Sequence, residues 1–70
     1  MNFSERLKEL RLARGLSQKN LAKEIGISER AYIYYELSEQ EPKITSFVKI
    51  ADFFNVSADY LLGRSNSNKS

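Results

Sequence analysis

Apolar residues recur along this chain at three- and four-residue intervals, and short polar stretches break the pattern. That rhythm is the period of helices packed by one face against a core, whereas the every-second-residue alternation of strands is nearly absent. Phe3, Leu7 and Leu10 share one face, Arg11 lies at its edge, and Leu12 points away as an exposed leucine. Asn2 and Glu5 have the spacing of a capping box, so a first helix is predicted from Phe3, with Gly15 ending it. Further helices are predicted over residues 18–25, 29–37, 45–54 and 58–62. On the fourth, Ile44, Phe47, Val48, Ala51 and Phe54 are expected to face inward. The polar run SEQEPK before it holds the only proline and reads as a loop. Ser57 caps the last helix and Gly63 ends it. The run AYIYY is rich in strand-forming residues, but a cap before it and helical spacing around it argue against a strand.

The chain is organised around residues 18–37, QKNLAKEIGISERAYIYYEL. Ser17 can cap the first of two helices here, with Leu16 and Leu21 as a hydrophobic staple across the entry. Gly26 closes that helix, where only a residue tolerant of positive φ does so cheaply. Ser28 caps again, and Ile27 with Tyr32 repeats the staple. Ala22 supplies the small side chain that two steeply crossing helices need near their closest approach. Together these positions read as a helix-turn-helix.

The spacing resembles the helix-turn-helix domains of the Cro and phage-repressor type. Leu21, Ile25, Ile27, Tyr32 and Tyr35 match that motif's apolar positions, and Ala22 and Gly26 its small ones. The resemblance extends through RLKELRLARGLSQ before the motif, and through Glu36, Pro42 and FVKIADFFNVSADYLLG after it, from Phe3 to Gly63. It implies an all-α, lambda-repressor-like domain of five helices over residues 1–63, with residues 64–70 a polar disordered tail or the start of a linker to a further domain. Asn55 stands where the family usually has glycine, and asparagine is the next best residue for a left-handed position. The implied function is a sequence-specific transcriptional regulator, a repressor of phage or prokaryotic kind. It would act as a homodimer on an inverted repeat in a double-stranded DNA operator. A protein-interaction module of the same fold, such as the antitoxin of a toxin–antitoxin pair with its own protein partner, is the alternative.

Glu29, Arg30, Ile33 and Tyr34 are expected on the outward face of the third helix, and by resemblance Glu29, Arg30 and Tyr34 match base-touching positions. Arg30 can donate twice to a guanine, the commonest specific contact in the major groove. Glu29 can accept from a cytosine amine, or be present because a carboxylate suits a helix N-terminus. Tyr34 can meet a thymine methyl or a phosphate, or be a partly buried surface aromatic; Ile33 either meets a methyl in the groove or is simply exposed. Gln18 matches a DNA-backbone position of the family, and Lys43 a second one. Lys19 is as readily a solvated lysine as a phosphate ligand. Arg11 and Glu36 match an ion pair of related repressors, whose role is structural. Dimer contacts in related domains come largely from the C-terminal helices, which makes Phe53 and Tyr60 candidates, and a side chain folded under the last helix is an equal reading of Phe53. One departure is the stretch Leu37, Ser38, Glu39, Gln40 and Glu41, where the family often has a glycine followed by basic residues.

Composition removes other classes. Histidine and cysteine are both absent, which takes away the commonest general base and metal ligand and any disulfide or thiolate site. No glycine-rich phosphate loop is present, so neither an enzyme nor a bound cofactor or metal is expected. No apolar run is long enough to span a bilayer, and nothing at the start resembles a secretion signal, so the default location is cytoplasmic. The net charge of +2 divides unevenly: residues 1–25 hold six basic and three acidic side chains, and residues 26–63 hold three and six. A basic first third suits a phosphate backbone, though ordinary solvated helix faces would look the same.

Overall fold

Residues 2–64 are described by the computed structural model, in which five helices follow one another with brief connections. They are α1 (Phe3–Ala13), α2 (Gln18–Ile25), α3 (Glu29–Glu36), α4 (Ile44–Phe54) and α5 (Ala58–Leu61). Four of the five starts are closed by side chains. The Asn2 side chain accepts from the Glu5 N–H at 2.9 Å, while the Glu5 carboxylate accepts from the Asn2 N–H at 3.0 Å. Ser17, Ser28 and Ser57 each accept from the N–H three residues on. Each cap satisfies a donor the helix cannot, and is worth about 1 kcal/mol. Only α4 begins bare, at Lys43, with no side-chain cap.

Helix ends also follow the sequence. Gly26 and Asn55 both adopt left-handed backbone, at φ 81° and 55°. So does Ser38, at φ 61° after α3, where the family's glycine is missing. The Glu39 N–H returns to the Tyr34 carbonyl at 3.0 Å, which fixes that bend. Ser38 Oγ donates to Ser4 Oγ at 2.7 Å, and Ser4 Oγ to the Tyr35 carbonyl at 2.6 Å, so the loop start is tied to α1.

Each helix contributes one fully buried side chain to a single core: Leu7, Leu21, Tyr32, Ile50 and Leu61. Ala22, buried on α2, lets α2 lie close against α3. Phe3 and Phe47 close one side with their rings 5.8 Å apart, and Phe53 meets Phe54 edge-on at 5.0 Å. The expected face of α4 needs correction. Phe54 is buried and Phe47 and Ala51 are partly buried, but Ile44 is 77% exposed and Val48 49% exposed, while Ile50 is completely buried. The inward stripe is Phe47, Ile50, Ala51 and Phe54, one step around the helix from the predicted one. No described helix is long and apolar enough to cross a membrane.

Candidate nucleic-acid interface

Helix α3 is held from behind by one carboxylate. Glu36 lies at its last residue with a side chain 5% exposed, facing Arg11 of α1. Arg11 Nε donates to Glu36 Oε2 at 2.6 Å and Nη2 to Oε1 at 3.2 Å, the two-pronged geometry that a planar guanidinium provides. Arg11 Nη1 reaches the Leu16 carbonyl at 2.8 Å, on the turn that leads into α2. Tyr32 Oη, one helical turn before Glu36, donates to Oε2, and Gln18 Nε2 donates to Oε1 at 3.1 Å. One carboxylate thus joins the first three helices.

The electrostatics follow from that geometry. Burial by itself would raise the Glu36 carboxyl, but donation from Arg11, Tyr32 and Gln18 outweighs it and holds the group below the usual carboxylate range. Hydrogen bonding to the carboxylate raises the Arg11 guanidinium further. The Tyr32 phenol is pushed well above its ordinary value, first by burial and then by the carboxylate it donates to.

The opposite side of α3 is open. Glu29 and Arg30 are exposed in its first turn. Ile33, expected to be exposed, is half-buried, as is Tyr34, because long helical side chains lie back across the preceding turn. Among the described residues neither Glu29 nor Arg30 forms an ion pair or a side-chain hydrogen bond. Lys19 and Lys43 are exposed at the starts of α2 and α4. Gln18 is divided between the two sides: its backbone begins α2, while its amide is tied to Glu36.

The basic first third is less available than its charge count implies. Arg6 and Arg11 are both 8% exposed, and Arg6 stacks over the Tyr60 ring at 3.8 Å while reaching Glu9 at 3.5 Å. Arg14 lies 5.2 Å from the Phe53 and Phe54 ring centres. These stacked positions of Arg6 and Arg14 had no signal in the periodicity, since their partners lie on distant helices. Phe53 and Tyr60, the candidate dimer residues, are therefore half-buried with an arginine against each ring. Glu39, Gln40 and Glu41, in the loop that departs from the family pattern, are exposed.

The family model described as helix-turn-helix matches residues 7–61. The chain belongs to that family, in its Cro and phage-repressor branch. It is 45% identical over 65 residues to an uncharacterized HTH-type transcriptional regulator of Bacillus subtilis, YqaE, covering 91% of this chain and 56% of the relative. It is 44% identical over 64 residues to the cryptic phage CTXphi transcriptional repressor RstR of Vibrio cholerae, covering 91% and 57%. The chain thus spans little more than half the length of these relatives. Among solved structures it superposes on the P22 c2 repressor, crystallised in complex with a synthetic operator, with a TM-score of 0.86 and 29% identity over 93% of this chain and 98% of that one. The five-helix repressor fold is the one the resemblance implies, and the family is one of transcriptional regulators rather than enzymes.

Proposed function

We propose that this helix-turn-helix chain reads a double-stranded DNA operator in the major groove with α3 and represses transcription in the cytoplasm by occluding the site. What carries this reading is the division of α3: one face is fixed to α1 and α2 through Glu36, and the other leaves Glu29 and Arg30 exposed with Ile33 and Tyr34 half-buried beside them. A helix held rigidly from behind can present side chains to base edges in one register. Lys19 and Lys43, together with Gln18, stand where phosphates flanking the groove would be met. The bare start of α4 supports this, since its free N–H groups and the Lys43 ammonium together suit an anion.

So small a reader makes few base contacts, and two copies on half-sites about 34 Å apart would multiply them. The exposed Ile44 and Val48 of α4 offer such a homodimer an apolar surface, alongside the rims of Phe53 and Tyr60. The same apolar residues and the exposed Glu39 and Glu41 favour a second reading, an interaction module that pairs with a protein partner such as a toxin.

Selection from a random duplex pool tests the leading reading. The wild type is expected to recover an inverted repeat. Arg30→Ala is expected to lose about 1–3 kcal/mol of guanine preference at one position per half-site. Absence of any enriched sequence at moderate salt would overturn it. Lys43→Ser separates stability from binding. Serine at this cap position is expected to stabilise the fold by about 1 kcal/mol, seen as a raised melting temperature. The same change should weaken binding to all duplexes alike and lower the slope of log K against log salt by about one.

A further inference from the structure

Gln18 stands between the buried Glu36 cluster and the exposed start of α2. Its Nε2 carries two N–H groups in one plane, and one of them donates to Glu36 Oε1 at 3.1 Å. The acceptor is a carboxylate, so the amide must turn its nitrogen inward rather than its oxygen. With that bond made, the second N–H points in a fixed direction. It lies at the first residue of α2, where the backbone N–H groups of Gln18 and Lys19 have no helical partner and Ser17 covers only Asn20.

The direction of the amide is set by the direction of the carboxylate. Each Glu36 oxygen takes two donors: Oε2 from Arg11 Nε and Tyr32 Oη, Oε1 from Arg11 Nη2 and Gln18 Nε2. Arg11 supplies the neutralising charge, without which a carboxylate so near would repel an anion. Its fork also sets the plane of the carboxylate, and Tyr32 adds a second hold on Oε2. The Tyr32 ring is fully buried at a position where the motif asks only for an apolar residue, and its hydroxyl holds Oε2 so that Oε1 stays turned toward α2.

We propose that Tyr32, acting through Glu36, is a positioning residue that aims the free N–H of Gln18 Nε2 at a DNA phosphate. This rests on the reading of the chain as a DNA-binding protein. A glutamine tied in advance loses little rotamer freedom when the phosphate arrives, so the gain appears in affinity.

The test uses the duplex recovered by selection, bound to the wild type, Gln18→Ala, Tyr32→Phe and the double variant, each below its melting temperature. Gln18→Ala should weaken binding about tenfold and Tyr32→Phe about threefold, with the double variant no weaker than Gln18→Ala. Duplexes with single phosphates replaced by methylphosphonate give the readout that a merely structural role would not move. One replacement should weaken the wild type, weaken Tyr32→Phe less, and leave Gln18→Ala unaffected. Equal losses from Tyr32→Phe with and without Gln18 would overturn the proposal. A second measurement needs no variant: in the free wild type, one Gln18 side-chain amide proton should exchange slowly with solvent. Free exchange of both protons would overturn the proposal even if Tyr32→Phe failed to fold. A chain that recovers no duplex defeats the DNA reading itself, whereas wild-type affinity in Gln18→Ala defeats only the positioning role.

Discussion

Glu36→Ala is expected to destabilise the protein by about 3–5 kcal/mol, enough to unfold much of it at room temperature for a domain of this size. The cost lies in what is left behind. Arg11 keeps its charge in a side chain only 10% exposed, and the hydroxyl of fully buried Tyr32 loses its acceptor. Urea denaturation measures the loss directly. The control is Arg11→Met with Tyr32→Phe and Glu36→Leu together, which removes both charges and the phenol at once and leaves of the cluster only the partly exposed Gln18 amide and Leu16 carbonyl. That triple variant should recover most of the stability, because replacing a buried ion pair by packed apolar groups is often neutral or better. If the single change costs less than 1 kcal/mol, the carboxylate does not anchor α3.

The same site sets the response to pH. The folded-state value of Glu36 is depressed, so its contribution is present above the unfolded value of about 4.3 and is lost as pH falls through the folded value. Tyr32 is raised, so its contribution is whole below about pH 10 and declines as pH rises beyond that. Melting temperatures should fall at both extremes, and both limbs should flatten in the triple variant.

Ile50→Ala is expected to cost about 2–5 kcal/mol, while Ile44→Ala changes stability by no more than about 0.5 kcal/mol. Both are isoleucines of α4, six residues apart, yet one is fully buried and the other largely exposed. The loss at Ile50 combines the transfer of its methylene and methyl groups with the cavity left between helices. Denaturant midpoints for the two variants decide the matter, and similar losses at both sites would contradict the packing of α4.

That pair also marks where sequence and structure part. Helix starts were legible because a cap is local: Ser17, Ser28 and Ser57 each act within three residues of themselves. The stop at Asn55 was equally local. The inward face of α4 was not, because seven of its eleven residues are apolar and spread over most of its circumference. A stripe that wide has no unique centre, and the positions of α2 and α5 against it choose Ile50 over Val48. Arg30, Lys19 and Lys43, proposed to meet DNA, are exposed. The Arg11–Glu36 pair was visible only through family resemblance. Tyr32 and Gln18 joining it, and Arg6 lying on Tyr60, depend on meetings between distant helices that no periodicity encodes.

The two sides of α3 obey different rules of change. Tyr32, Tyr35 and Glu36 answer to the interior, where substitution costs folding. Glu29 and Arg30 form no ion pair or side-chain hydrogen bond among the described residues, and only the Glu29 carboxylate has a local role, favouring the start of α3. If α3 reads DNA as proposed, a lineage carrying this scaffold can rewrite those two positions at little cost to folding, acquiring new targets or escaping cross-talk with a sibling, while the architecture underneath is inherited unchanged.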